Sequence, residues 1–213
     1  MKGYFVTGTG TGVGKTFVAC QLARCARALG KRVFAFKPIE TGCQVDAGRL
    51  VGADQQLLCE AAGDWQREQL RGLYQFEPPV APLVAAERAR STIDIDAIVQ
   101  TVAQGSVGVD LAIVEGAGGW RVPITTSCDM AKLASQVGLP IVVVAQATLG
   151  TINHSLLTVE AIERDGQNVA ALVLSRRPED DEEQAVDNAR RIAARWAGTV
   201  LIHRETHDLS VLV

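Results

Sequence analysis

YFVTGTGTGVGKT, residues 4–16, decides the fold of this chain of 213 residues. A short β-branched and apolar run, Tyr4 to Thr7, enters a glycine-rich loop, and a helical pattern begins at Lys15. Strand, glycine-rich loop and helix, in that order, form the context that a phosphate-binding loop requires. Glycines let successive backbone N–H groups turn toward one anion, and the helix N-terminus adds its partial positive charge. The predicted nucleotide site is therefore the whole loop: Gly8, Thr9, Gly10, Thr11, Gly12, Val13, Gly14, Lys15 and Thr16. Lys15 is expected to reach the terminal phosphates and the Thr16 hydroxyl to bind Mg²⁺. The usual GxxxxGK[ST] spacing would place its first glycine at Thr9; here the glycine stands one place earlier, at Gly8, so the loop is a longer variant.

Outward from the loop, short apolar runs alternate with longer helical patterns. Strands are predicted at Tyr4–Thr7, Arg32–Phe36, Leu111–Glu115, Ile141–Ala145, Ala170–Leu174 and Thr199–Ile202. Helices are predicted at Lys15–Leu29, Asp54–Ala62, Asp94–Gln104, Met130–Val137, Thr151–Arg164 and Glu182–Trp196. In the last, Ala185, Val186, Ala189, Ile192, Ala193 and Trp196 recur at helical spacing and should form the buried face. The alternation predicts an α/β fold of the P-loop NTPase-like kind, a mostly parallel twisted sheet with helices on both faces. A single domain over residues 1–213 is expected, because no repeat, low-complexity tract or long linker divides the chain. Glu77 to Pro82, with three prolines, reads as a stiff loop across the sheet edge.

Composition narrows the function. With 47% hydrophobic and 21% charged residues the chain is globular rather than disordered. The 21 Lys+Arg against 24 Asp+Glu leave a net charge of −3 without a basic block, which argues against nucleic acid as a partner. The opening apolar run is shorter than the ~7–15 residues of a signal-peptide core. Ile141 to Ala145 falls far short of the ~20 residues that cross a bilayer, so a cytoplasmic protein with no membrane partner is expected. Five cysteines with no CxxC pair read as reduced thiols. His203 and His207 have helical ligand spacing, but no third ligand lies nearby, and they read as surface polar residues near a chain end.

In open α/β sheets, ligands sit beyond the carboxyl ends of the strands. Lys37, in AFKPIETG, ends the second predicted strand and could face a γ-phosphate. Glu115, in LAIVEGAGGW, ends the third, where a P-loop enzyme places a metal-binding acid; the small residues after it leave room for a ligand. Asp54, in GADQQLL, suits either a helix cap or a metal ligand.

These residues resemble dethiobiotin synthetase along nearly the whole chain. The resemblance rests on YFVTGTGTGVGKT (4–16), FKPIETG (36–42), Asp54, VEGAGGW (114–120) with Pro123 after it, and LGTINHSLLT (149–158). It implies a homodimeric enzyme that closes the ureido ring of dethiobiotin from diaminopelargonate, CO₂ and ATP with Mg²⁺. It further implies that Thr16, Asp54 and Glu115 hold the metal and that Lys15 and Lys37 contact the phosphates and the transferring group. Thr11 and Thr41 would bond the substrate's amine and carbamate; Pro82 and Gly118 would line the substrate site, Gly118 and Glu115 also meeting the nucleotide. Gly150, Thr151, Ile152 and Asn153, at a helix N-terminus, would receive the substrate's carboxylate across the dimer interface.

Two positions depart from that pattern. Gly10 stands where relatives commonly carry an acid, and Ser175 where they present an Asn to the adenine edge. A hydroxyl cannot copy the two-point contact of an amide, so relaxed base preference is expected. The glycine-x-isoleucine-proline segment expected after the last strand is also missing from TVLIHRETHDL. Among rivals, a ParA/MinD-like switch would carry a second lysine at the position of Gly10. A cobyrinic-acid-type amidoligase would need a glutaminase domain, and a non-catalytic relative would be expected to lack one of Lys15, Lys37, Asp54 or Glu115.

Overall fold

Alternate residues of the apolar runs point to opposite faces of one sheet, as the two-residue period of a strand demands. The computed structural model describes residues 2–203 and 206–213, with the backbone alone for 206–208. In chain order the elements are β1 (Gly3–Gly8), α1 (Lys15–Ala28), β2 (Val33–Phe36), β3 (Ile39–Thr41), β4 (Gln44–Asp46), β5 (Arg49–Val51) and α2 (Ala53–Ala61). There follow β6 (Tyr74–Phe76), α3 (Pro82–Arg88), α4 (Ile95–Gly105), β7 (Leu111–Gly119), α5 (Met130–Val137) and β8 (Ile141–Gln146). The chain continues through α6 (Thr151–Arg164), β9 (Val169–Ser175), α7 (Glu182–Ala193) and β10 (Val200–His203) to a closing 3₁₀ segment, Thr206–Leu212.

The main sheet has six strands in the order β10-β9-β8-β1-β7-β2, all paired in parallel. Phe5, Phe34, Phe36, Val114 and Val143 face one side and pack with Ile98, Leu133, Val159, Ile162 and Ile192 from α4 to α7. Val6, Val33, Ala35, Ile113 and Val144 face the other and pack with Val18, Leu22 and Leu58 of α1 and α2. With both faces covered, the strands read as continuous apolar runs rather than alternating ones. The predicted P-loop NTPase-like sheet is the one observed.

The departures from expectation have local causes. β7 runs on through Gly119, so Glu115 lies within a strand, level with Val6 of β1, instead of ending one. Glycine and alanine after Glu115 extend the strand while keeping it free of bulk. Residues 77–81 are irregular as predicted, but Pro82 opens α3, because a first-turn proline loses no helical hydrogen bond. The small pairs β3 with β6 and β4 with β5 were not anticipated from three-residue runs. In α7 the buried positions are Ala185, Asn188 and Ile192, whereas Ala193 is exposed and Trp196 lies past the helix end. Asn188 tolerates burial because its amide donates to the Ala147 carbonyl at 3.2 Å.

His203 also departs from expectation: it is fully buried on β10, in register with Ser175, with its ring 5.0 Å from that of Phe17. Pairing of the last strand carries it inward. The side chain of His207 lies outside the described residues. No helix among the described residues is long and apolar enough to cross a membrane, and all five cysteines are buried and outside any disulfide.

Candidate active site

Strand order, more than sequence spacing, assembles the site. β7 inserts between β1 and β2, so Glu115 lies between the loop that follows β1 and the Lys37 that follows β2. The loop ends at Gly14, whose φ of +95° is the left-handed conformation that glycine adopts freely. α1 then begins at Lys15, turning its free N–H groups toward the loop.

The charged side chains converge. Thr16 Oγ1 donates to Glu115 Oε1 at 2.8 Å, and Lys37 Nζ donates to the same oxygen at 2.8 Å and to Asp54 Oδ2. Lys15 Nζ donates to the Gly10 carbonyl at 2.8 Å. Lys15, Lys37 and Glu115 are buried, while the Asp54 side chain is 38% exposed and so stands at the mouth. Burial disfavours the Lys37 ammonium, yet Glu115 and Asp54 together hold its affinity for the proton above the ordinary lysine value. Lys15 lacks so close a counter-charge, and burial lowers it to about 8.

These groups open into a cavity of about 570 Å³ lined by Thr11, Lys15, Thr16, Lys37, Asp54 and Glu115 on its charged side. Thr41, Pro82 and Gly118, all anticipated, line it too, together with Phe17, Pro79, Val80, Ala81, Ala117 and Val122, which were not. Their wall comes from α1, from residues 79–82, and from β7 and the turn that follows it. A second cavity of about 260 Å³ adjoins the loop, lined by Gly12, Val13, Gly14, Phe17, Gln146, Ser175, Arg176, Arg177 and Pro178. Ser175 thus lies apart from the charged cluster, beside two guanidinium groups and an amide. Gly150, Thr151, Ile152 and Asn153 line neither cavity; they start α6 beyond β8, with Asn153 exposed.

Asp54 does not cap α2. The helix has Gly52 at its N-cap and no cap from its own side chains; Glu40 of β3 accepts the Asp54 and Gln55 N–H groups at 2.9 and 3.0 Å. Gln55 in turn accepts the Lys37 N–H at 2.6 Å. Glu40 and Gln55 were missed as functional candidates. The available signal was a helix starting at Gly-Ala, with no Ser, Thr, Asp or Asn to satisfy its first N–H groups.

The residues suit a hard divalent cation. Glu115 Oε2 is buried without a protein hydrogen-bond partner, and Thr16, Asp54 and Glu115 supply oxygen donors alone. Mg²⁺ takes such ligands, one or two carboxylates with substrate phosphates and water completing its shell. Among the described residues, no cluster of three His, Cys, Asp or Glu forms a cage for another metal.

A family model described as an AAA domain matches residues 2–201. The ATP-dependent dethiobiotin synthetase BioD of Anaeromyxobacter dehalogenans (strain 2CP-C) is 41% identical over 207 residues, covering 96% of this chain and 87% of its own length. The chain belongs to the dethiobiotin synthetase family. The BioD protein of Nitrosospira multiformis is likewise 41% identical, over 82% of this chain and 76% of its own. Among solved structures, the MinC:MinD cell division complex of Aquifex aeolicus matches with a TM-score of 0.57 at 17% identity, covering 100% of this chain and 84% of that one. At that identity it shares the fold alone.

Proposed function

We propose that this chain catalyses the ATP-dependent closure of the ureido ring of diaminopelargonate with CO₂, giving dethiobiotin, ADP and phosphate. The observation that carries the reading is the Lys37 ammonium bridging Asp54 and Glu115 beside Lys15 and Thr16, in a cavity shared with Thr41. A carbamate formed from one amine and CO₂ is a poor electrophile. Transfer of the γ-phosphoryl group converts it to a mixed anhydride; the neighbouring amine attacks its carbon, and phosphate leaves as the C–N bond closes the ring.

Such chemistry needs positioning and charge neutralisation more than a side-chain nucleophile. Lys15 and Lys37 are the cations placed to meet charge on the transferring group, and the loop backbone with Gly118 holds the nucleotide. Thr11 and Thr41 are hydrogen-bonding groups for the amine and carbamate, and Pro82 walls the substrate. Thr16, Asp54 and Glu115 would hold Mg²⁺, which neutralises phosphate charge when bound. Gly150 to Asn153, at the start of α6 and outside the two cavities described, would receive the carboxylate of substrate bound to the partner of a homodimer. A cytoplasmic enzyme completes the reading.

The deciding experiment measures ADP release with ATP and Mg²⁺, with and without diaminopelargonate and bicarbonate, and checks product mass in the same tube. Release that requires both co-substrates and yields the cyclic urea is expected; slow hydrolysis indifferent to both would overturn the proposal. GTP and CTP in the same assay test the relaxed base preference expected from Ser175, and strict use of ATP would refute it.

A further inference from the structure

Among the described residues, Glu40 and Glu115 are the buried carboxylates, and Glu40 is the one outside the phosphate cavity. Burying a carboxylate is costly unless its oxygens are bonded. Both Glu40 oxygens are bonded, and to one target: Oε1 accepts the Asp54 N–H at 2.9 Å and Oε2 the Gln55 N–H at 3.0 Å. The approach is close. A Cβ on Gly52 would lie 2.4 Å from Glu40 Oε2 and 2.8 Å from its Cδ, so the helix can meet this carboxylate because residue 52 has no side chain.

The two residues held this way both lead to the charged cluster. Asp54 extends its carboxylate to Lys37 Nζ, and Gln55 accepts the Lys37 backbone N–H at 2.6 Å while donating to the Ala35 carbonyl at 3.3 Å. One carboxylate therefore sets both the start of α2 and, through Gln55, the end of β2. An ordinary Ser or Asp cap would satisfy the helix but would not tie it to β3, whose next residue, Thr41, lines the cavity.

We propose that Glu40 is a positioning residue for the metal-binding carboxylate: it fixes Asp54 relative to Glu115 and Thr16, and so sets the affinity of the site for the divalent cation. The proposal rests on the assignment of Asp54 as a metal ligand. It is tested by titrating Mn²⁺, as a paramagnetic substitute for Mg²⁺, into the full-length protein with a non-hydrolysable ATP analogue. Glu40→Gln keeps one acceptor and turns an amide donor toward the second N–H, while Gly52→Ala displaces the carboxylate without altering it.

Both variants should weaken Mn²⁺ binding about 10-fold, the effect of losing an outer partner of a metal ligand, with analogue binding in the absence of metal unchanged. Asp94→Ala, which removes the distant cap of α4, is the structural control and should lower the melting temperature without moving the Mn²⁺ constant. If Glu40→Gln and Gly52→Ala behave like Asp94→Ala, the proposal is overturned and Glu40 is a helix cap only. Equal Mn²⁺ binding by the wild type and Asp54→Asn would instead overturn the metal assignment, and the positioning role with it.

Discussion

Lys37 shows how much one side chain carries. Its ammonium sits between two carboxylates, one fully buried, and so neutralises the pair that would otherwise repel. Lys37→Gln should lower turnover at least 100-fold, roughly the value of a transition-state charge donor, while leaving most nucleotide affinity to Lys15 and the loop backbone. Near-normal turnover would refute the role. The same variant leaves a buried charge uncompensated and should lose about 3–5 kcal/mol of stability; with Thr16, Asp54 and Glu115 as the proposed Mg²⁺ ligands, adding the cation should recover it by binding the folded state, and thermal melts with and without Mg²⁺ read this. Lys15 makes a pH prediction. Its free-site value of about 8 lies below the ordinary lysine value, and phosphate favours the charged form. Above about pH 8 the complex thus binds more protons than the free protein, and nucleotide affinity should fall as pH rises. Calorimetry in buffers of different ionisation heat should show proton uptake that rises from neutral to alkaline pH and is abolished in Lys15→Met; equal uptake in both proteins would contradict it.

At the scale of elements, one helix is placed by a borrowed cap and another by a small residue. α2 takes its cap from β3, and α4 approaches the sheet through Gly105, where a Cβ would fall 2.3 Å from the Phe34 ring. Phe34 cannot retreat, because it stacks on Phe36 at 5.4 Å and lies against Trp65 at 6.3 Å. Gly105→Ala is expected to destabilise the fold by about 1–3 kcal/mol through overpacking, even though alanine is the better helix former. Urea unfolding measures it, and a variant as stable as the wild type would show that the interface has slack. Trp120 and Arg121 brace the end of β7 in a similar way, donating to the Asp165 carboxylate at the far end of α6 at 2.7 and 2.8 Å.

At the scale of the molecule, the parallel sheet gathers one end of β1, β7 and β2 into the phosphate site, and the start of α6 does not line that cavity. If the partner supplies substrate to that helix, Asn153→Ala should raise the Michaelis constant for the diamine and leave that for ATP unchanged. Steady-state kinetics varying each substrate in turn decide it, and a change confined to ATP would place the carboxylate pocket elsewhere.

The phosphate loop, the six main strands and Lys15, Thr16, Lys37, Asp54 and Glu115 were legible in the sequence. Their signals are local: glycine spacing, apolar runs and charges at strand ends. Long-range contacts decided the rest. The extension of β7 past Glu115 comes from pairing with β1, the burial of His203 from pairing with β9, and the role of Glu40 from a fold that brings β3 to the start of α2. A helix that begins without its own capping residue shows that an acceptor is needed, but not where it comes from. Periodicity reports what each segment can become; only the packed sheet determines which oxygen meets which N–H group.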